Sequence, residues 1–181
     1  MKLALYGGSF DPPHIGHLRV VTEALAKLPI ERLIIVPAFR NPFKPNVRAD
    51  SSTRYRWLRS IFSSFEKVDI SDFEITQKRS VYTIETVKHF LPMCDELYLI
   101  IGADNLEKLA SWHRFDELNT LVRWVVATRG EIPIPANMIA LNVDEKISSS
   151  DFRNSFSSLG LEPSLENEIL TYYKELYEST N

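Results

Sequence analysis

A chain of 181 residues, 44% hydrophobic and 25% charged, fits one globular domain in which roughly 70% of the unfolded surface can be buried. A net charge of −3 gives no general basic field, which argues against nucleic acid as a partner. Cys94 is the only cysteine, so no intramolecular disulfide can form; no apolar run approaches the ~20 residues of a membrane span, and the first residues lack a signal-type apolar core, so a soluble, unexported protein of a reducing cytoplasm is expected.

Residues 2–6 (KLALY) read as a short buried strand, followed at once by Gly7 and Gly8, where the backbone can turn sharply and a ligand can approach its amides. Asp11, Pro12 and Pro13 make a turn that no helix interior would accept. From Ile15 the apolar residues Leu18, Val21, Leu25 and Leu28 recur at three and four, one face of a helix. His14 and His17 stand three apart at its start, so both rings can share a side with the unpaired helix amides, which outlines an anion site. The alternative is that one histidine caps the helix and the other packs on a strand. A zinc pair fits less well, because no nearby Cys or carboxylate completes a ligand set.

Arg32–Pro37 (RLIIVP) is a second buried strand, and strand, helix, strand over this length implies a right-handed parallel crossover and an α/β fold. Residues 38–50 carry Arg40, Lys44 and Arg48 among prolines and form a loop at a strand's carboxyl end, where parallel sheets bind ligands. Lys44 is the candidate from this loop, the alternative being a solvated charge. Residues 51–65 are helical, capped by the serines, with Arg54 readable as a surface ion-pairing residue; 67–75 hold one or two strands. Residues 81–91 form an amphipathic helix with Pro92 past its end and Thr83 as a possible cap.

Residues 96–101 (ELYLII) are a central strand ending at Gly102 and Ala103, with Asp104 placed either to accept from ribose hydroxyls or to cap the next helix. Trp112 beside His113 suggests an aromatic wall for a flat ring, with a core tryptophan as the competing reading. Strands at 124–128 and 138–143 flank a loop that starts at Arg129. In 146–154 (KISSSDFRN), Ser148 and Asp151 have capping-box spacing, Ser149 and Ser150 add hydroxyls, and Arg153 could fork onto phosphate oxygens or be only a surface arginine. A last helix over 164–177 packs Leu165, Ile169, Tyr172, Tyr173 and Leu176. No repeat or composition break divides residues 1–181.

GGSFDPPHIGH resembles the G-x-F-D-x-x-H-x-G-H signature of the nucleotidyltransferase superfamily, and its Phe-Asp-Pro-Pro-His form is similar to bacterial nicotinate-mononucleotide adenylyltransferases. Ile147, Ser148, Ser149 and Arg153, with Ser150 and Phe152 as conservative matches, resemble the second motif I-S-S-T-x-I-R; Gly102, Asp104, Leu109 and Trp112 match G-x-D followed by L-x-x-W. Tyr82, Thr83, Ile84 and Thr86 resemble S-Y-T-x-x-T-L, which in the family shapes the pyridine pocket, although Val81 replaces its usual serine and Lys78 and Arg79 stand where a glycine is common. Pro37, Pro42 and Lys44 match P-x-x-x-P-P-H-K while Asn41 and Phe43 depart, so the family's histidine role has no counterpart here; Arg54 matches a family arginine in its helix, a surface ion pair being the other reading. HIGH also heads class I aminoacyl-tRNA synthetases, but their K-M-S-K-S and any tRNA-binding domain are missing.

The resemblance covers nearly the whole chain. It implies a single-domain, Rossmann-like, doubly wound parallel sheet with helices on both faces, and adenylyl transfer from ATP to nicotinate mononucleotide with release of pyrophosphate. It implies that His14 and His17 contact ATP phosphates near the reacting phosphorus, with Ser149, Ser150 and Arg153 on the β and γ phosphates and Lys44 assisting. Gly7, Gly8, Ser9, Phe10, Gly102, Asp104, Ile147 and Ser148 would complete the ATP site, and Ser9, Lys44, Tyr82, Thr83 and Trp112 the second substrate's. Mg²⁺ is expected on the triphosphate, mostly hydrated, with no protein ligand named. Phosphopantetheine adenylyltransferase is the nearest rival, but it usually has Thr where this chain has His14 and lacks the G-x-D and Trp pattern; a catalytically silent nucleotide-binding module is the rival of another class. The preference between acid and amide substrates, and whether the chain forms a homo-oligomer, stay open.

Overall fold

The computed structural model describes residues 1–40, 49–143 and 145–179. Among them six strands form one sheet: β1 (Lys2–Gly8), β2 (Arg32–Pro37), β3 (Val68–Ile70), β4 (Glu96–Gly102), β5 (Arg123–Ala127) and β6 (Ile139–Leu141). Their order is β3-β2-β1-β4-β5-β6 with every neighbouring pair parallel, so the chain runs outward on one side of β1 and then restarts beside it with β4. That reversal is a topological switch point, and a crevice opens there beyond the strands' carboxyl ends.

Burial on both faces follows from alternation along each strand. Ala4 and Tyr6, with Leu33, Ile35, Tyr98 and Ile100, pack on Val20, Val21 and Ala24 of α1 (Ile15–Lys27) and Leu58 and Phe62 of α2 (Ser51–Phe62). Leu3 and Leu5, with Leu97, Leu99 and Val126, meet Ile84, Val87 and Phe90 of α4 (Thr83–Phe90) and Leu118 of α5 (Phe115–Leu121). A third cluster lies off the sheet: Trp57 of α2, Phe152 of α6 (Ser149–Ser155), and Ile169 and Tyr173 of α7 (Pro163–Ser179). The doubly wound α/β fold expected from the sequence is therefore present.

Several local expectations are corrected. Helix α2 ends at Phe62, and Asp50 caps it, accepting from the Thr53 N–H at 2.9 Å and from the Ser52 and Thr53 hydroxyls; the carboxylate displaces the serines because it is the stronger acceptor for a helix N-terminus. After the three-residue β3 the chain forms a short helix, α3 (Phe73–Thr76), instead of more strand. The N-cap of α4 is Tyr82, and Thr83 is the first helical residue. Residues Ala103–Ser111 form a 3₁₀ helix. Its apolar positions Ala103, Leu106 and Leu109, with Trp112 just past its end, fall every third residue, the spacing that three residues per turn places on one side. Among the described residues no helix is long and apolar enough to cross a membrane.

Candidate active site

The first helix mouth is built by β1, the following turn and α1. Phe10 adopts a left-handed backbone (φ 49°) and buries its ring edge-on against Tyr6 and against His17, 5.4 and 4.8 Å between centroids. A Cβ on Gly8 would stand 3.1 Å from that ring, which is why the strand ends in glycine. Phe10 thus contributes as a wedge behind the histidine. His14 is the N-cap of α1: its Nδ1 accepts the Gly16 N–H at 3.1 Å, while its own backbone N–H donates to His17 Nδ1 at 3.1 Å. An Nδ1 that accepts carries no proton, so each ring bears its N–H at Nε2, the donor it can offer an anion. Capping, one of the two readings of the sequence, engages Nδ1 of both rings and so does not compete with an anion for Nε2. Gly16 is required as well, since a Cβ there would lie 2.8 Å from His14 Cε1.

The second mouth is the start of α6. Ser148 caps it, accepting the Asp151 N–H at 3.0 Å and donating to the Asp151 carboxylate at 2.6 Å, so its hydroxyl is engaged in the cap. Ser149 Oγ donates to the Pro12 carbonyl at 2.8 Å. Arg153 donates to the Asp11 carbonyl and to Ser150 Oγ at 3.2 Å, with its guanidinium 3.7 Å from the Asp11 carboxylate. Two segments whose bonded residues are 137 and 142 positions apart are thereby joined directly to one another across the Asp11–Pro12 turn.

Both mouths line one cavity of about 660 Å³, together with Gly7, Gly8, Ser9, Gly102, Asp104, Ile147, Tyr82, Thr83 and Trp112. That volume suits a nucleotide-sized ligand. Asp104 is exposed and lies 3.9 Å from Arg129; a Cβ on Gly102 would collide with its Oδ1 at 2.5 Å. Trp112 is half-buried, edge-on to Trp124 at 6.3 Å, so it is at once part of the core and of the cavity wall. Lys44, with Asn41 and Phe43, lies outside the described residues.

Further residues in and behind the cavity bear on the site, most of them not singled out by sequence. Arg129 follows β5 and reaches the cavity. Tyr82 and His113 stack at 4.3 Å. Glu74 of α3 accepts from the Thr86 hydroxyl at 2.6 Å, and burial pushes its carboxyl up to about 7. Arg54 proves buried, not superficial, and binds the backbone behind the site. Asp11, read only as a turn residue, is 3% exposed and central.

Burial, followed by the charge of Arg129, lowers the His14 imidazole to about 4. The neutral ring is the form the cap needs. Its contribution to stability is complete above pH 6.5 and is lost as pH falls toward 4, about 3 kcal/mol at 1.36 kcal/mol for each tenfold change in proton affinity. Glu74 acts in the opposite sense, losing stability as pH rises from 4.5 to about 7, so bulk unfolding would mix the two. The imidazole resonances of His14 are expected to stay constant from pH 8 to 5.5 in an NMR titration. A midpoint near 6.5 would contradict the capped geometry.

The cytidylyltransferase-like family model matches residues 5–155. The chain belongs to that family. A relative from Sulfurimonas denitrificans is 52% identical over 174 residues, covering 96% of this chain and 95% of its own length. One from Campylobacter jejuni serotype O:6 is 46% identical over 181 residues, covering 99% and 100%. Both are named as probable nicotinate-nucleotide adenylyltransferases. Among solved structures, Plasmodium falciparum nicotinic acid mononucleotide adenylyltransferase complexed with NaAD superposes with a TM-score of 0.78 at 19% identity, covering 96% of this chain and 97% of that one. At that identity the likeness speaks for the fold. Both helix mouths fall inside the span matched to the cytidylyltransferase-like family, whereas α7 lies beyond it.

Proposed function

We propose that the chain transfers the adenylyl group of ATP to nicotinate mononucleotide, forming deamido-NAD and pyrophosphate in NAD biosynthesis. The observation that supports it most is the bonding of the α6 mouth to the Asp11–Pro12 turn beside the histidine pair, which gives one cavity two sets of anion donors. A phosphate oxygen of the mononucleotide attacks the α-phosphorus of ATP, and the bond to the departing pyrophosphate breaks. The nucleophile is already anionic at neutral pH, so no covalent enzyme residue is needed; the task is to align two polyanions and to neutralise charge on the leaving group.

In this reading the Nε2–H groups of His14 and His17 serve the phosphates at the reacting phosphorus. Ser149, Ser150 and Arg153 hold the β and γ phosphates. Gly7, Gly8 and Ser9 allow close backbone approach, and Lys44 is assigned by sequence alone. Tyr82, Thr83 and Trp112 form the wall for the pyridine ring. Imidazole N–H, hydroxyl and guanidinium groups are donors for phosphate oxygens, not for a bare cation, so these residues fit a Mg²⁺ carried on the triphosphate and its water shell. Bound in that way the ion would offset charge on the leaving pyrophosphate.

The test is pyrophosphate release from ATP with nicotinate mononucleotide, nicotinamide mononucleotide or phosphopantetheine as the second substrate. Turnover is expected with the pyridine nucleotides, and their ratio of kcat/KM gives the acid or amide preference. Release with phosphopantetheine alone, or with none of them, would overturn the proposal.

A further inference from the structure

We infer that Tyr173, on the closing helix α7, is a positioning residue for Arg153 and acts through the carboxylate of Asp11. The inference rests on the proposed role of Arg153 as a phosphate ligand. Tyr173 is fully buried, 20 residues in sequence beyond Arg153 by the numbering and outside the span matched to the family, yet its hydroxyl donates to Asp11 Oδ1, 162 residues away. The same Oδ1 accepts the Ala49 N–H at 3.0 Å, while Oδ2 faces the Arg153 guanidinium at 3.7 Å. The tyrosine ring also packs edge-on against Phe152, the residue before Arg153, at 5.5 Å, and lies tilted against Trp57 at 6.0 Å.

The consequence is geometric. A carboxylate that is 3% exposed depends on its donors for orientation, and Tyr173 and Ala49 together fix the rotation of this one. Held so, Asp11 keeps Arg153 close through charge and its own main-chain carbonyl, but at 3.7 Å the carboxylate does not take guanidinium protons in a hydrogen bond, which leaves them for a phosphate. Without the tyrosine hydroxyl, Asp11 would turn to Arg153 for the missing donor. Burial and the neighbouring carboxylate hold the Tyr173 phenol far above its ordinary value, so it remains a donor throughout any assay range. The adjacent Tyr172 makes a natural comparison, because its hydroxyl donates to Asp50, the α2 cap, at 3.1 Å.

The experiment compares Tyr173→Phe, Tyr172→Phe, Arg153→Ala and the double variant Tyr173→Phe/Arg153→Ala, reading kcat and KM for ATP and for nicotinate mononucleotide alongside Tm. Tyr173→Phe is expected to lower kcat/KM for ATP about tenfold, mostly through KM, with KM for the mononucleotide unchanged. Tyr172→Phe should lose similar thermal stability and keep its ATP kinetics. In the Arg153→Ala background the Tyr173 change should have no further effect. If Tyr173→Phe leaves the ATP kinetics intact, or costs the same factor with and without Arg153, the positioning role is wrong. If Arg153→Ala itself is harmless, the reading of the phosphate site fails instead.

Discussion

Alanine at position 17 is expected to reduce kcat for pyrophosphate release by about 10²–10³-fold, the usual loss when one donor to developing transition-state charge is removed. The fold should survive. What the side chain gives the helix is one acceptor, Nδ1, for the His14 N–H, and a lost cap of this kind costs about 1 kcal/mol, or roughly 2–4 °C in Tm for a protein of this size. The two effects can be separated, because glutamine at the third helical position can also reach back to the N-cap N–H. His17→Gln should therefore recover most of the Tm and little of the activity. Turnover within threefold of the unsubstituted protein in His17→Ala, measured with both substrates saturating, would remove the histidine from the reaction.

How much of this was legible in the sequence depended on range. The strand, glycine turn and helix of residues 2–28 and the Ser148–Asp151 cap were readable because their causes are local: a short apolar run closed by glycines, a three-and-four repeat, and a capping residue three positions from its partner. The departures have local competitors. Asp50 stands one residue before the serines and outcompetes them; residues 103–112 repeat every third residue, which a search for helical three-and-four spacing passes over. The site's framework was not legible. Nothing near Asp11 announces that a tyrosine 162 residues on will bond to it, and an arginine inside an amphipathic helix is ordinarily a surface residue. The letter match to the family carried His14, His17 and Arg153 into one cavity, but the groups that hold them there are contacts between distant segments.

Arg54 is the extreme case, and its replacement should have the largest effect on stability. Its guanidinium is fully buried and donates to the carbonyls of Ala49 at 3.0 Å, Ser9 at 2.5 Å, Ala38 at 2.7 Å and Phe39 at 3.2 Å. The turn after β1, the end of β2 and the start of α2 thus converge on one planar fork. Arg54→Ala would leave those carbonyls without their donor and remove a positive charge that interacts with the buried Asp11, a loss of about 3–5 kcal/mol. At 2–4 °C per kcal/mol, Tm should fall by roughly 6–20 °C in a calorimetric scan. Lysine keeps the charge but concentrates its donors at one nitrogen, too compact to span carbonyls arranged around a fork, so Arg54→Lys should recover less than half of the loss. Because Ser9 lies on the cavity wall, either variant assayed well below its Tm should also show a raised KM for the mononucleotide. A fall in Tm under 3 °C for the alanine variant would mean that the backbone behind the site holds its shape without the arginine, and that the order of the Ser9 turn comes from the Phe10 wedge and the Asp11 hub alone.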